Sequence, residues 1–248
     1  MKIIGSDYDG TLNHNGIDDK KRQALQRWHD AGNIFALVSG RGLKDMLKIY
    51  EEQQFLCDYF IAESGALIMK NDGTIIWDVR CGGDVIVPLL TLLFEKGCPF
   101  GSVQTTHTRR VFAEPEGCTE ESDCTLENLP EMPYFNQIST ILPDSQTAAE
   151  VVACIRAQFG DKLNPLQNGR CIDIVRADMN KARGLYILME HLGAEYDDVI
   201  AVGDHINDSD MIREFRSYAM ASGLDSIKKL ADDVTPGVAE MIEKELKG

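Results

Sequence analysis

No stretch of these 248 residues is apolar for long enough to span a bilayer, and Met1-Lys2-Ile3-Ile4 runs into an acidic motif without the apolar centre of a secretory leader. Internal repeats and low-complexity tracts are absent. Basic residues are outnumbered, 25 Lys and Arg against 40 Asp and Glu, for a net charge of −15. A chain this acidic lacks the general basic surface on which nucleic-acid affinity rests. Its seven cysteines include no Cys-x-x-Cys pair, and no histidine stands at ligand spacing from Cys118 and Cys124, so the usual zinc and redox frameworks are missing. The histidines, His14, His29, His107, His191 and His205, form no triad. These absences predict a cytoplasmic chain with free thiols and no membrane or nucleic-acid partner. With 44% hydrophobic residues it can bury a sizeable core, as one large or two modest domains.

What is present begins at Asp7-Tyr8-Asp9-Gly10-Thr11-Leu12, directly after the apolar run Ile3-Ile4-Gly5. Strand side chains repeat with period two, so Asp7 and Asp9 are expected on one side, above a turn that Gly10 permits. Two adjacent carboxylates repel unless a cation or a shared proton relieves them, which points to a divalent-metal site, an acid/base pair or both. A solvated acidic turn after a strand is the bland alternative.

The apolar periodicity predicts a helix over Asp18 to Gly32, a strand over Ile34 to Val38, a helix over Leu43 to Glu52 and a strand over Tyr59 to Ala62. This βαβα order favours a parallel sheet with helices on both faces. Strands over Ala66 to Met69 and Thr74 to Trp77, around Asn71-Asp72-Gly73, add a hairpin. From about Asp84 to Ile174 the order changes to a separate α+β unit: a helix over Val85 to Lys96, strands near Ser102 and Val111, a polar stretch from Glu114 to Pro133, a strand over Asn136 to Leu142, a helix over Ser145 to Phe159 and a strand over Cys171 to Val175. Helix and parallel strand then return with Asn180 to Leu192, Val199 to Val202, Ser209 to Phe215, Tyr218 to Ala221 and Val238 to Leu246. The fold class is therefore α/β: a doubly wound parallel-sheet core from 1–77 and 176–248, with an α+β domain inserted at 78–175. Ligands of such sheets gather beyond the carboxyl ends of the strands.

Three further features fall on that core. Ser39-Gly40 follows the second strand and offers a hydroxyl and close amides to an anion, or a simple helix cap. Lys181 opens a predicted helix, where the dipole disfavours an isolated cation, so either an anion or solvent compensates it. Gly203-Asp204-His205-Ile206-Asn207-Asp208 follows the strand Val199 to Val202, as a second acidic turn or an N-cap cluster. Mg2+ needs only one or two carboxylates besides water and phosphate, and Asp7 with Asp204 suffices.

In their order along the chain, Asp7-Tyr8-Asp9-Gly10-Thr11, Ser39-Gly40-Arg41, Lys181 and Gly203-Asp204-x-x-Asn207-Asp208 resemble the four motifs of the haloacid dehalogenase-like hydrolase superfamily. The insertion after the third strand looks like the C2-type cap of its Cof-like phosphatases. The resemblance implies a Mg2+-dependent phosphatase for a sugar phosphate or a related small phosphorylated metabolite, with a sugar phosphomutase as the mechanistic alternative and a non-catalytic phosphometabolite-binding protein as a remoter one. It further implies that Asp7 is the nucleophile and Asp9 the general acid/base. Mg2+ would be held by Asp7, Asp9 through its backbone carbonyl, and Asp204. Ser39, Gly40, Lys181 and Asn207 would bind the phosphoryl oxygens, and Thr11 and Asp208 would orient this set. One departure is visible: Cof-like members often carry Asn-Gly-Ala where this chain has Ser64-Gly65-Ala66. In the inserted region His107 and Arg109 are the candidates for substrate contact, and Arg176 is another, with a hinge or a surface salt bridge as its alternative.

Overall fold

The computed structural model describes residues 1–113 and 132–247. Cys118, Cys124 and most of the polar stretch expected from Glu114 to Pro133 lie outside them. The chain divides into two compact units, one from Met1–Trp77 with Asn180–Gly248 and one from Asp78–Met179.

The first unit is built on β1 (Ile3–Asp7), α1 (Asp19–Asp30), β2 (Ile34–Val38), α2 (Leu43–Gln53), β3 (Tyr59–Ala62), β4 (Leu67–Lys70) and β5 (Ile75–Asp78). In the second unit follow β6 (Cys81–Gly82), α3 (Ile86–Glu95), β7 (Phe100–Gln104), β8 (Arg109–Ala113), β9 (Tyr134–Phe135), β10 (Gln137–Ile141), α4 (Ser145–Phe159), β11 (Leu163–Asn168) and β12 (Cys171–Arg176). The first unit resumes with α5 (Lys181–Leu192), β13 (Val199–Gly203), α6 (Ser209–Glu214), β14 (Arg216–Met220), α7 (Asp225–Lys228), β15 (Asp233–Thr235) and α8 (Val238–Glu245).

The strands of the first unit form one sheet in the order β15-β14-β13-β1-β2-β3-β4-β5. From β15 to β3 every pairing is parallel, and β4 runs antiparallel to β3. Chain order reverses between β1 and β13, so the crevice where a doubly wound sheet takes its ligand opens beside β1. Ile4, Phe35, Leu37, Phe60, Ile200 and Val202 alternate onto one face and join Leu25, Trp28, Met46 and Ile242 in a single apolar core. The opposite face receives α5 at short range. A Cβ on Gly5 would lie 2.6 Å from the Leu185 side chain, and one on Gly184 would lie 2.7 Å from Gly65 Cα. This close packing brings the first residue of α5, Lys181, to the end of β1.

In the second unit a sheet of order β11-β12-β10-β7-β8 carries a core formed with α3 and α4, including Leu89, Leu93, Val151, Ile155, Phe112 and Ile138. Its last strand continues to Arg176, and Ala177–Met179 stay with this unit rather than with the first. Ala177 N donates to Lys162 O at 2.9 Å and Asn164 Nδ2 donates to Met179 O at 2.8 Å, which ties the segment back to β11. The cysteines recorded there and in the first unit, Cys57, Cys81, Cys98, Cys154 and Cys171, are free thiols. No helix among the described residues is long and apolar enough to cross a membrane.

Candidate active site

β1 ends at Asp7, and the alternation that turns Gly5 against Leu185 of α5 turns Asp7 to the same face. Lys181 donates from Nζ to Asp7 Oδ1 and to Asp208 Oδ1, each at 2.6 Å. All three side chains are buried: Lys181 and Asp208 are 1% and 0% exposed, and Asp7 5%. The alternative of a solvated Lys181 is thereby removed. An ammonium in such a place stays charged only with anions against it. Burial works to lower its pKa, but Asp208 and Asp7 outweigh that and hold it above the ordinary lysine range.

Asp204 enters from the end of β13. Thr11 Oγ1 donates to Asp204 Oδ1 at 2.9 Å, and the second turn is folded back by Asp208, whose Oδ2 accepts from Asp204 N at 3.0 Å and His205 N at 3.1 Å. Gly10 has φ +82°, and a Cβ there would lie 2.4 Å from Asp204 Oδ2. Only glycine lets the two acidic turns approach this closely.

Asp7, Asp204 and Asp208 bring carboxylate oxygens within 4.8 Å of one another. One ammonium against three carboxylates leaves negative charge uncompensated. Burial first, then Asp208, pushes Asp7 up to about 8 against the pull of Lys181. Asp204 is likewise raised, by burial and then by Asp208. An all-oxygen, over-anionic set of this kind fits a hard divalent cation, which removes the repulsion that a proton otherwise relieves.

Asp9 departs from the strand-based expectation. Because β1 stops at Asp7 and Tyr8-Asp9 lie in the turn closed by Leu12 N to Asp7 O (3.2 Å) and Asn13 N to Tyr8 O (2.8 Å), period-two alternation no longer applies. The Asp9 carboxylate is instead half-exposed and bound by Arg41, from Nε to Oδ2 at 2.7 Å and from Nη2 to Oδ1 at 2.8 Å. This partner, 32 residues away, is one that spacing does not reveal.

Ser39 is buried at the end of β2, and its Oγ accepts from Arg41 N at 3.1 Å. It is not the N-cap of α2, a position held by Gly42. Gly40 lies between Ser39 and Arg41 in this turn. Beside it, Ser64 N donates to Ser39 O at 3.0 Å, within a turn where Glu63, Ser64 and Gly65 all have positive φ. Asn207 sits in the short 3-10 turn Ile206–Asp208, with its buried Oδ1 lacking a hydrogen-bond partner.

The remaining candidates belong to the second unit. His107 is exposed in the turn joining β7 and β8. Arg109 opens β8 and donates from Nε to Ser102 Oγ at 2.9 Å. Arg176 pairs with Asp178 at 2.6 Å.

Residues 4–241 match the family profile described as haloacid dehalogenase-like hydrolase. The chain is 35% identical to the 5-amino-6-(5-phospho-D-ribitylamino)uracil phosphatase YitU of Bacillus subtilis, over 98% of this chain and 96% of that one. It is 26% identical to a phosphoglycolate phosphatase of Methanothermobacter thermautotrophicus, over 98% of each. Among solved structures, the subclass IIB sugar phosphatase BT4131 superposes with a TM-score of 0.80 at 17% identity, covering 99% of each chain. SMU.1108c from Streptococcus mutans does so at 0.85 and 20%, covering 100% of each. With a profile match across nearly its whole length, the chain belongs to the haloacid dehalogenase-like hydrolase family, and it is an enzyme of phosphatase type.

Proposed function

We propose that this enzyme is a Mg2+-dependent phosphomonoester hydrolase for a sugar phosphate or a related small phosphorylated metabolite, working through an aspartyl-phosphate intermediate. The observation that carries the reading is the buried Lys181 ammonium held 2.6 Å from both Asp7 and Asp208, with Asp204 in the same acidic group. A structural ion pair needs only one carboxylate. Three of them beside one ammonium, at the ends of the two strands that flank the sheet's reversal point, suit a divalent cation, and with such a cation bound the site suits a phosphoryl group.

In this reading an oxygen of the Asp7 carboxylate attacks phosphorus, and the bond from phosphorus to the ester oxygen breaks. Asp9 gives its proton to the departing alkoxide. The acyl phosphate on Asp7 is then hydrolysed by water, whose proton returns to Asp9, releasing inorganic phosphate and restoring the Asp7 carboxylate. Lys181, Ser39, Gly40 and Asn207 hold the phosphoryl oxygens, while Thr11 orients Asp204 and Asp208 orients Lys181. Asp7, Asp204 and the main-chain carbonyl of Asp9 would hold Mg2+, whose charge offsets the approach of one anion to another. The unit 78–179 acts as a C2-type cap, with His107 and Arg109 reading the organic part of the substrate. Relatives that take a phosphorylated ribitylaminouracil and phosphoglycolate support a small, oxygen-rich leaving group.

The test is a panel of phosphomonoesters incubated with Mg2+ or with chelator, scored for inorganic phosphate. Phosphate release that chelation abolishes and Mg2+ restores is expected. Isomerisation of a hexose monophosphate in the presence of its bisphosphate, without net phosphate release, would assign a mutase instead. Absence of turnover on the whole panel would reject both.

A further inference from the structure

We infer that Arg41 is the positioning residue of Asp9, holding the carboxylate that serves the leaving group in one defined orientation. The inference rests on the reading of Asp9 as the general acid/base.

Asp9 lies beyond the end of β1 with its side chain 50% exposed. An unrestrained carboxylate in that setting would spread over several staggered rotamers. Here both of its oxygens are occupied by two neighbouring nitrogens of one guanidinium, the planar fork geometry that fixes orientation as well as distance. The guanidinium is itself held. Its Cζ lies 5.7 Å from the centroid of the Tyr8 ring, and Tyr8 Oη accepts from Gln53 Nε2 at 2.8 Å. The Arg41 backbone is fixed at both ends as well: its N–H donates to Ser39 Oγ at 3.1 Å, and its carbonyl accepts from Glu63 N at 2.9 Å.

Fork and ring contact each occur elsewhere, in Arg176 on both oxygens of Asp178 and in Arg80, paired with Asp78, 4.1 Å from the Tyr134 ring centroid. Arg41 combines the two on the carboxylate that follows Asp7 by two residues, and simpler surface pairs have neither. Lys48 and Glu52, for example, stand 3.9 Å apart on one turn of α2 with both side chains largely exposed. Exposed pairs contribute little to stability, and the main-chain bonds to Ser39 and Glu63 do not depend on the Arg41 side chain, so the fork on Asp9 is not explained by a need to hold the fold. It is explained if the proton-transfer group must be presented at a set angle to the ester oxygen, because misplacement by about an ångström is enough to slow a positioned reaction strongly.

The experiment compares wild type, Arg41→Met, Arg41→Lys, Asp9→Asn and the Arg41→Met/Asp9→Asn double variant, each as the full chain with Mg2+. kcat/KM is measured on an alkyl phosphomonoester and on p-nitrophenyl phosphate, whose aryl oxide departs without a proton. Arg41→Met should lose about tenfold or more on the alkyl ester, at or below the usual range for removing an acid/base outright. Its loss on the aryl ester should be about threefold or less, with partial recovery in Arg41→Lys and an unchanged melting temperature. In the Asp9→Asn background the same substitution should change either rate by no more than about twofold, because a positioning residue has nothing left to position. Equal losses on the two esters, an unchanged or faster Arg41→Met enzyme, or a loss that multiplies with that of Asp9→Asn would overturn the inference. Wild-type kcat/KM on the alkyl ester in Asp9→Asn would instead remove the acid/base reading on which it rests.

Discussion

The Lys181 ammonium lies 2.6 Å from Asp7 Oδ1, across 174 residues of sequence and an intervening unit that folds about its own core. Both side chains are buried. Their pairing therefore ties the proposed chemistry to the energetics of the first unit.

Asp7→Asn is expected to abolish turnover and leave the fold at least as stable. Burial and Asp208 raise the Asp7 carboxyl to about 8 from its ordinary 3.8, so the folded chain binds this proton more tightly than the unfolded one. The stability that this protonation maintains at low pH is progressively lost as pH rises from about 4 through 8. An amide never ionises. The difference in melting temperature between wild type and Asp7→Asn, measured in chelator, should consequently grow in favour of the variant from pH 5 to pH 8. A difference that is constant, or that shrinks, would contradict the raised carboxyl.

Mg2+ should reverse that trend, because a cation favours the ionised carboxylates. Its affinity should increase between pH 6 and pH 8, with proton release on binding, read by calorimetry in buffers of different ionisation enthalpy. Binding with no proton release at pH 7 would argue that Asp7 is already ionised.

Lys181→Met leaves Asp7 and Asp208 buried without their cation. Removal of one partner from a buried ion pair costs roughly 3–5 kcal/mol, and the loss should appear as a lower urea midpoint in chelator with partial recovery on adding Mg2+. Turnover should fall across every phosphomonoester, since all present the same phosphoryl oxygens. A midpoint equal to that of wild type would mean that the buried ammonium does not support the fold.

His107→Ala and Arg109→Ala should behave differently from Lys181→Met. Their effects on kcat/KM are expected to be unequal among sugar phosphates, because these two side chains stand in the unit proposed to read the leaving group. Equal losses throughout the panel would reject them as selectors.

Ser64→Gly should raise stability by up to about 1 kcal/mol. Ser64 is buried at φ +53°, a left-handed conformation that costs a non-glycine residue on the order of 1 kcal/mol. Denaturant unfolding measures the gain, and a destabilised variant would show that the Ser64 side chain contributes more by packing than its backbone loses by strain.

The order of strands and helices in the first unit was legible because its strands are short continuous apolar runs, such as Ile34–Val38 and Val199–Val202, and each motif follows one of them. β11 carries no such signal: Leu163-Asn164-Pro165-Leu166-Gln167-Asn168 mixes polar residues with a proline, which is tolerated because this strand lies at the edge of its sheet. β15 is only Asp233–Thr235, too short for any periodicity to register. The residue types of the proposed site, their strand-end positions and the glycines that allow the turns are properties of the local sequence. Which of those residues meet is not. Lys181 opens a helix in either a solvated or a buried setting, and it is the packing of Leu185 on Gly5 and of Gly184 on Gly65 that brings it to Asp7. Asp9 was expected beside Asp7 by alternation, but the strand ends between them, and a guanidinium from the next strand's turn takes its carboxylate. Period and propensity act over a few residues, whereas charge burial and side-chain pairing are decided by whatever the finished sheet brings within about 3 Å.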